Sequence, residues 1–218
     1  MNVLFVGNSY TYYNDMPAIF QQLARDNNKD VTATSVTKGG RKLISYQDPF
    51  DATTVKLTEA LQQHYDVCVI QEHSVQPITE FDAFREGLTL VANMAKPHTD
   101  KFILYCTWGR KHGHKVLVEQ GWDTEGMTEM LVQSYKKAAA ELGAEIAPVG
   151  KNFLAASRLL PEVDLYDPDL THPSYAGSVL SALTHYRVIF GEFPKNTASL
   201  NLEQEVIDAF RAVVSAGL

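Results

Sequence analysis

Ser9, Asp169 and His172 are the residues whose types and spacing could cut an acyl bond. Ser9 ends the stretch Gly7-Asn8-Ser9, which directly follows the apolar run at residues 2–6. A serine hydroxyl is a weak nucleophile until a base takes its proton. Asp169 and His172 lie three apart in "DPDLTHPSYAG", a stretch broken by Pro168 and Pro173. That spacing lets the carboxylate accept from His172 Nδ1–H and leaves Nε2 free as a base. The order is Ser…Asp…His, a set suited to nucleophilic acyl transfer. Such a site also needs donors for the developing oxyanion. The backbone N–H of Ser9, the pair Gly39-Gly40 and the side chains of Gln71 and Ser74 are the candidates.

Elements must bring these distant residues together. Five short apolar runs, at residues 2–6, 31–36, 67–71, 102–107 and 145–149, read as buried strands. They lack the period-two polar alternation of a half-exposed strand. Helix-like stretches lie between them, including "MPAIFQQLARDNN", "EFDAFREGLTLVANMA" and "MTEMLVQSYKKAAAELG". Strands alternating with helices predict a three-layer α/β/α sandwich around a five-stranded parallel sheet. In such sheets ligands bind beyond the carboxyl ends of the strands. "GNSYTYYND", "TKGGRKL", "QEHSVQP" and "TWGRKHGH" all follow predicted strands. Pro173 is expected at the first position of a helix running on through "SYAGSVLSALTHYRVIF", which would anchor the His172 end of its loop.

Bulk properties narrow the function. The 218 residues read as one domain, 1–218, with a formal net charge of −7. That charge disfavours nucleic acid and anionic membrane as partners. The start, "MNVLFVG", has no basic segment or cleavage site of a signal peptide, so the expected address is cytoplasmic. No apolar stretch nears the roughly 20 residues that span a bilayer. Cys68 and Cys106 sit in strand-like runs and are expected as buried thiols. His112 and His114 form "HGH" without a third ligand, which reads as a solvated loop rather than a metal site. Asn8, Tyr10, Gly39, Ser74 and Trp108 are the candidate pocket residues.

The blocks "GNS", a glycine after the second strand, a polar side chain after the third and "DLTHPS" together resemble the SGNH, or GDSL-type, hydrolase superfamily. The resemblance runs from residue 3 to about residue 180 and looks most like a bacterial branch of poorly defined substrate. It implies a flavodoxin-like α/β/α fold and a serine esterase that needs no cofactor. Ser9 then matches the nucleophile, and Asp169 and His172 match the Asp-x-x-His block. Gly40, with Gly39 as the alternative, matches the oxyanion glycine. The sequence departs from the common pattern at Asn8, where aspartate is usual, and in the third block, where "QEHSVQP" replaces Gly-x-Asn-Asp. By similarity to branches with a Gln-Gly-Glu block, Gln71 is the expected third donor and Ser74 its substitute. The implied substrate is a small acyl ester, including O-acetyl groups on carbohydrate. A non-catalytic carbohydrate- or ligand-binding module on the same fold is the main alternative. A flavodoxin-like phosphate binder is weaker, because Gly39-Gly40 alone is no phosphate loop.

Overall fold

The computed structural model describes residues 1–216. In chain order the elements are β1 (Asn2–Gly7), α1 (Ser9–Tyr12), α2 (Met16–Asp26), β2 (Thr32–Thr37), α3 (Ala52–Ala60), β3 (Tyr65–Ile70), α4 (Gln76–Thr79) and α5 (Phe81–Ala95). There follow β4 (Thr99–Tyr105), α6 (Lys115–Gln120), α7 (Thr124–Leu142), β5 (Glu145–Ala147), α8 (Val149–Leu159), α9 (Tyr175–Phe190) and α10 (Gln204–Ala216). The five strands form one parallel sheet in the order β2-β1-β3-β4-β5. Helices cover both faces, which makes the α/β/α sandwich.

The strands read as continuous apolar runs because both of their faces are buried. Side chains alternate across a strand. Val3 and Phe5 therefore enter one core with Val67, Val69, Ile103 and residues of α2, α8, α9 and α10. Leu4 and Val6 enter the other with Cys68, Ile70, Leu104 and residues of α3, α5 and α7. Each such fully buried side chain contributes about 1.5–3 kcal/mol. Cys68 and Cys106 are free and buried, and burial pushes both thiols up to about 12.

Two boundaries differ from expectation. The last strand stops at Ala147, and Val149–Leu159 forms α8 instead of continuing it. Val149, Phe153 and Ala156 give that helix its buried face. Gly150 permits the close approach, since a Cβ there would lie 2.2 Å from the Thr107 carbonyl oxygen. At α9 the helix starts at Tyr175, not at Pro173. Ser174 is the N-cap, its Oγ accepting from Gly177 N–H at 3.2 Å. Pro173 is held outside the helix by a bridge to Tyr166. Ala176 through Tyr186 are all buried, because α9 runs between the sheet and α2, α8 and α10. Among the described residues no helix is long and apolar enough to cross a membrane.

Candidate active site

The end of β1 is built for a sharp exit. A Cβ on Gly7 would lie 2.4 Å from Thr11 Oγ1 and 2.6 Å from Gln71 Oε1, so only glycine fits. Asn8 then caps α1, its Oδ1 accepting from Tyr10 N–H at 3.2 Å while its Nδ2 donates to the Arg41 carbonyl at 3.0 Å. Ser9 is the first helical residue. "SYTY" has little helix propensity of its own, so the turn depends on that cap. Asn8→Ala is expected to cost about 1–2 kcal/mol, read as a lower urea midpoint. An unchanged midpoint would show that the cap does not hold the turn.

At the other end of the chain, residues 166–173 form a closed loop. Asp167 N–H donates to the His172 carbonyl at 2.9 Å, and Ser174 N–H to the Leu165 carbonyl at 3.0 Å. Leu170 takes a left-handed conformation with φ 62° to complete the bend. Asp169 Oδ1 accepts the N–H groups of Thr171 and His172, each at 2.9 Å. Its Oδ2 lies 2.5 Å from His172 Nδ1. His172 Nε2 lies 2.8 Å from Ser9 Oγ. Partial burial works to raise the Asp169 pKa. The His172 side chain and the two backbone N–H groups outweigh it and hold the carboxyl below its usual range. An ionised carboxylate can only accept, so Nδ1 carries the ring proton and Nε2 accepts from the Ser9 hydroxyl. The structure thus brings Ser9, His172 and Asp169 into one chain of hydrogen bonds.

Aromatic and polar contacts fix the imidazole. Tyr13 stacks on it at 4.1 Å with planes 7° apart, and Tyr10 lies at 5.6 Å. Tyr10 Oη is 2.6 Å from Thr171 Oγ1, inside the loop between Asp169 and His172. Asn14 Nδ2 donates to the Pro173 carbonyl and to Ser178 Oγ, both at 3.0 Å, and so ties the first loop to α9. Asn14 and Asp15 both have positive φ, a conformation these residue types tolerate better than most.

Ser9, Asn8, Tyr10, Gly40, His73, Ser74, Arg110, Thr171 and His172 line a cleft of about 180 Å³. Gly40 has φ +66° and open space where a Cβ would stand. Gly39 is turned toward the Tyr12 hydroxyl. Neither the Ser9 nor the Gly40 N–H has a hydrogen-bond partner among the described residues. The Gly40 loop is pinned by Arg41, whose guanidinium donates to Asp51 at 2.7 Å, Thr54 at 3.0 Å and the Ser45 carbonyl at 3.2 Å.

Two expected site residues are placed elsewhere. Gln71 lies beneath the cleft and is 1% exposed. Its Oε1 accepts from Asn8 N–H and from the Thr11 hydroxyl, each at 2.9 Å. The backbone donor orients the amide, so Nε2 must face the Glu72 carbonyl. That places the amide nitrogen beneath the cleft, and Gln71 is not among the residues lining it. Ser74 does line the cleft, its Oγ accepting from Arg110 Nη2 at 2.7 Å. Trp108 is fully buried, stacked on Phe153 at 4.0 Å, with Nε1 donating to the Thr171 carbonyl at 3.1 Å. It supports the Asp169–His172 loop from below and does not line the cleft. His114 caps α6, its Nδ1 accepting from Val116 N–H at 3.1 Å. The place of Arg110 in the cleft and the stacking of Tyr13 on the imidazole were not legible in the sequence. The positions of the two residues after strand ends were the available signal.

The fold is a flavodoxin-like α/β sandwich, with the hydrogen-bonded serine, histidine and aspartate set toward the carboxyl ends of its parallel strands. No protein-family model and no curated sequence matches the chain. Solved structures do. A provisionally assigned SGNH hydrolase from Slackia heliotrinireducens is 29% identical with a TM-score of 0.76, over 87% of this chain and 98% of that one. A DUF4886-family protein from Bacteroides uniformis has a TM-score of 0.82 at 16% identity, over 98% of this chain and 93% of that one. An acetyl xylan esterase has a TM-score of 0.65 at 17% identity, over 87% of this chain and all, 100%, of that one. These likenesses support the SGNH hydrolase superfamily as the group into which this chain falls. The same likenesses support hydrolase chemistry as its general activity.

Proposed function

We propose that the protein is a serine esterase or acylhydrolase acting on small acyl esters through Ser9, His172 and Asp169. The observation that carries this reading is the relay from Ser9 Oγ to His172 Nε2 at 2.8 Å and from Nδ1 to Asp169 at 2.5 Å. His172 takes the Ser9 proton as Oγ attacks the ester carbonyl. The N–H groups of Ser9 and Gly40 receive the oxyanion, and the Ser74 hydroxyl takes the place foreseen for Gln71. Asp169 stabilises the imidazolium, which then protonates the departing alkoxide. Water, deprotonated in turn by His172, resolves the acyl-enzyme.

The small cleft suits a short acyl group such as acetyl. The likeness to an acetyl xylan esterase supports O-acetyl groups on carbohydrate as the substrate class. The placement of Gln71 beneath the cleft favours one rival, a binding module that retains the fold without turnover. A fluorophosphonate probe read by intact mass separates the two. One adduct is expected on the wild type and none on Ser9→Ala. Folded wild type that takes no adduct would overturn the esterase reading in favour of the module.

A further inference from the structure

Arg110 is a charge that the acyl-transfer steps leave unused. It stands half-buried on the wall of the Ser9 cleft. Nη2 donates to Ser74 Oγ at 2.7 Å, the one side-chain hydrogen bond Arg110 makes among the described residues. Its Nε is buried without a partner. No ion pair forms at Arg110 among the described residues, whereas Arg41, Lys42 and Lys111 are each paired, with Asp51, Glu80 and Asp164. A guanidinium carries five donors in a planar fork that matches a carboxylate. A buried Nε–H with no acceptor is costly unless a ligand answers it.

The surroundings say what that ligand carries. His73 shares the wall, and its Nδ1 is also buried without a partner. Burial, and then the Arg110 charge, hold that imidazole toward its neutral form. The unpaired charge is therefore single, which suits a monoanion. The guanidinium carbon lies 5.8 Å from the centroid of the Tyr10 ring, and the His172 ring lies 5.6 Å from the same ring. Arg110 and His172 line the same small cleft, so one ligand can meet both the fork and the base. We propose that Arg110, its fork braced by Ser74, binds a carboxylate carried by the substrate close to the scissile ester. The preferred substrates are then small carboxylate-bearing esters, an assignment that rests on the esterase reading of Ser9.

Two ester pairs test this on either side of the bond. Monomethyl glutarate is compared with methyl pentanoate, and 4-acetoxybenzoate with its methyl ester. In at least one pair, Arg110→Gln is expected to lower kcat/KM for the anionic member at least tenfold more than for the neutral one. Arg110→Lys, which keeps the charge but not the fork, should restore part of that difference. Equal losses within both pairs, or no loss in either, would overturn the carboxylate site. Calorimetric titration of the same compounds into Ser9→Ala, with and without Arg110→Gln, gives a readout that needs no turnover. If wild type neither hydrolyses these esters nor takes the phosphonate, the esterase reading fails. The site then stands if the carboxylate member binds at least tenfold tighter and loses that margin with Arg110→Gln, and falls if both members bind alike.

Discussion

Ser9→Ala is expected to lower kcat for p-nitrophenyl acetate by about 10,000-fold or more, with the secondary structure and the unfolding midpoint nearly unchanged. The size follows from what the side chain does. Its Oγ has His172 Nε2 as partner, and no packing in the core depends on it. Alanine keeps the helix start that Asn8 caps, so the loss falls on chemistry alone. His172→Ala should cost about as much, and the double variant little more than either single one, because members of such a unit do not act additively. Steady-state assays on the three variants decide the matter. Undiminished turnover by Ser9→Ala would remove the acyl-enzyme from the mechanism.

Glu72→Gln is expected to gain stability relative to the wild type as pH rises from 5 to 8. Glu72 is 0% exposed, and its carboxyl accepts from Leu43 N–H at 3.1 and 3.2 Å and from His73 N–H at 2.5 Å. It joins the segment after Gly40 to the loop that carries Ser74. Burial pushes its pKa up to about 7, against the pull of those N–H groups. A raised carboxyl pKa means that the folded chain keeps a proton the unfolded chain has lost. Stability from this group is therefore whole below the unfolded value of 4.5 and is lost as pH climbs through about 7. The shift corresponds to roughly 3 kcal/mol, of which about 2–3 falls between pH 5 and pH 8. Urea unfolding of both proteins at those two pH values checks it. The wild type should lose about 2–3 kcal/mol more than the variant across the interval. The same pH dependence in both would mean that Glu72 ionises without cost.

The sheet was legible because burial on both faces leaves unbroken apolar runs, and the observed strands fall within three residues of the expected ones. Ser9, Asp169 and His172 were legible because few residue types can do that chemistry and their loops follow strands or precede a helix. Gln71 shows where reading stops. A polar residue at a strand end is visible in sequence, but the way its amide points is set by the Asn8 N–H, 63 positions away. Trp108 was misplaced for a related reason. Its stacking partner Phe153 belongs to α8, a helix concealed by the short strand just before it. α1 was hidden too, since four residues of low helix propensity show no periodicity and the turn exists only with its cap.

The separation of 163 residues between Ser9 and His172 has a consequence in time. During synthesis the ribosome delivers the hydroxyl well before the imidazole. β1 lies inside the sheet between β2 and β3, so it finds its neighbours early, while the loop at residues 166–173 needs α9 beneath it before it can close. A chain halted anywhere between those points holds a serine with no base, which is chemically inert. Catalysis then begins only when the last layer of helices has docked. Ester turnover by a nascent chain would act as a clock for the completion of folding.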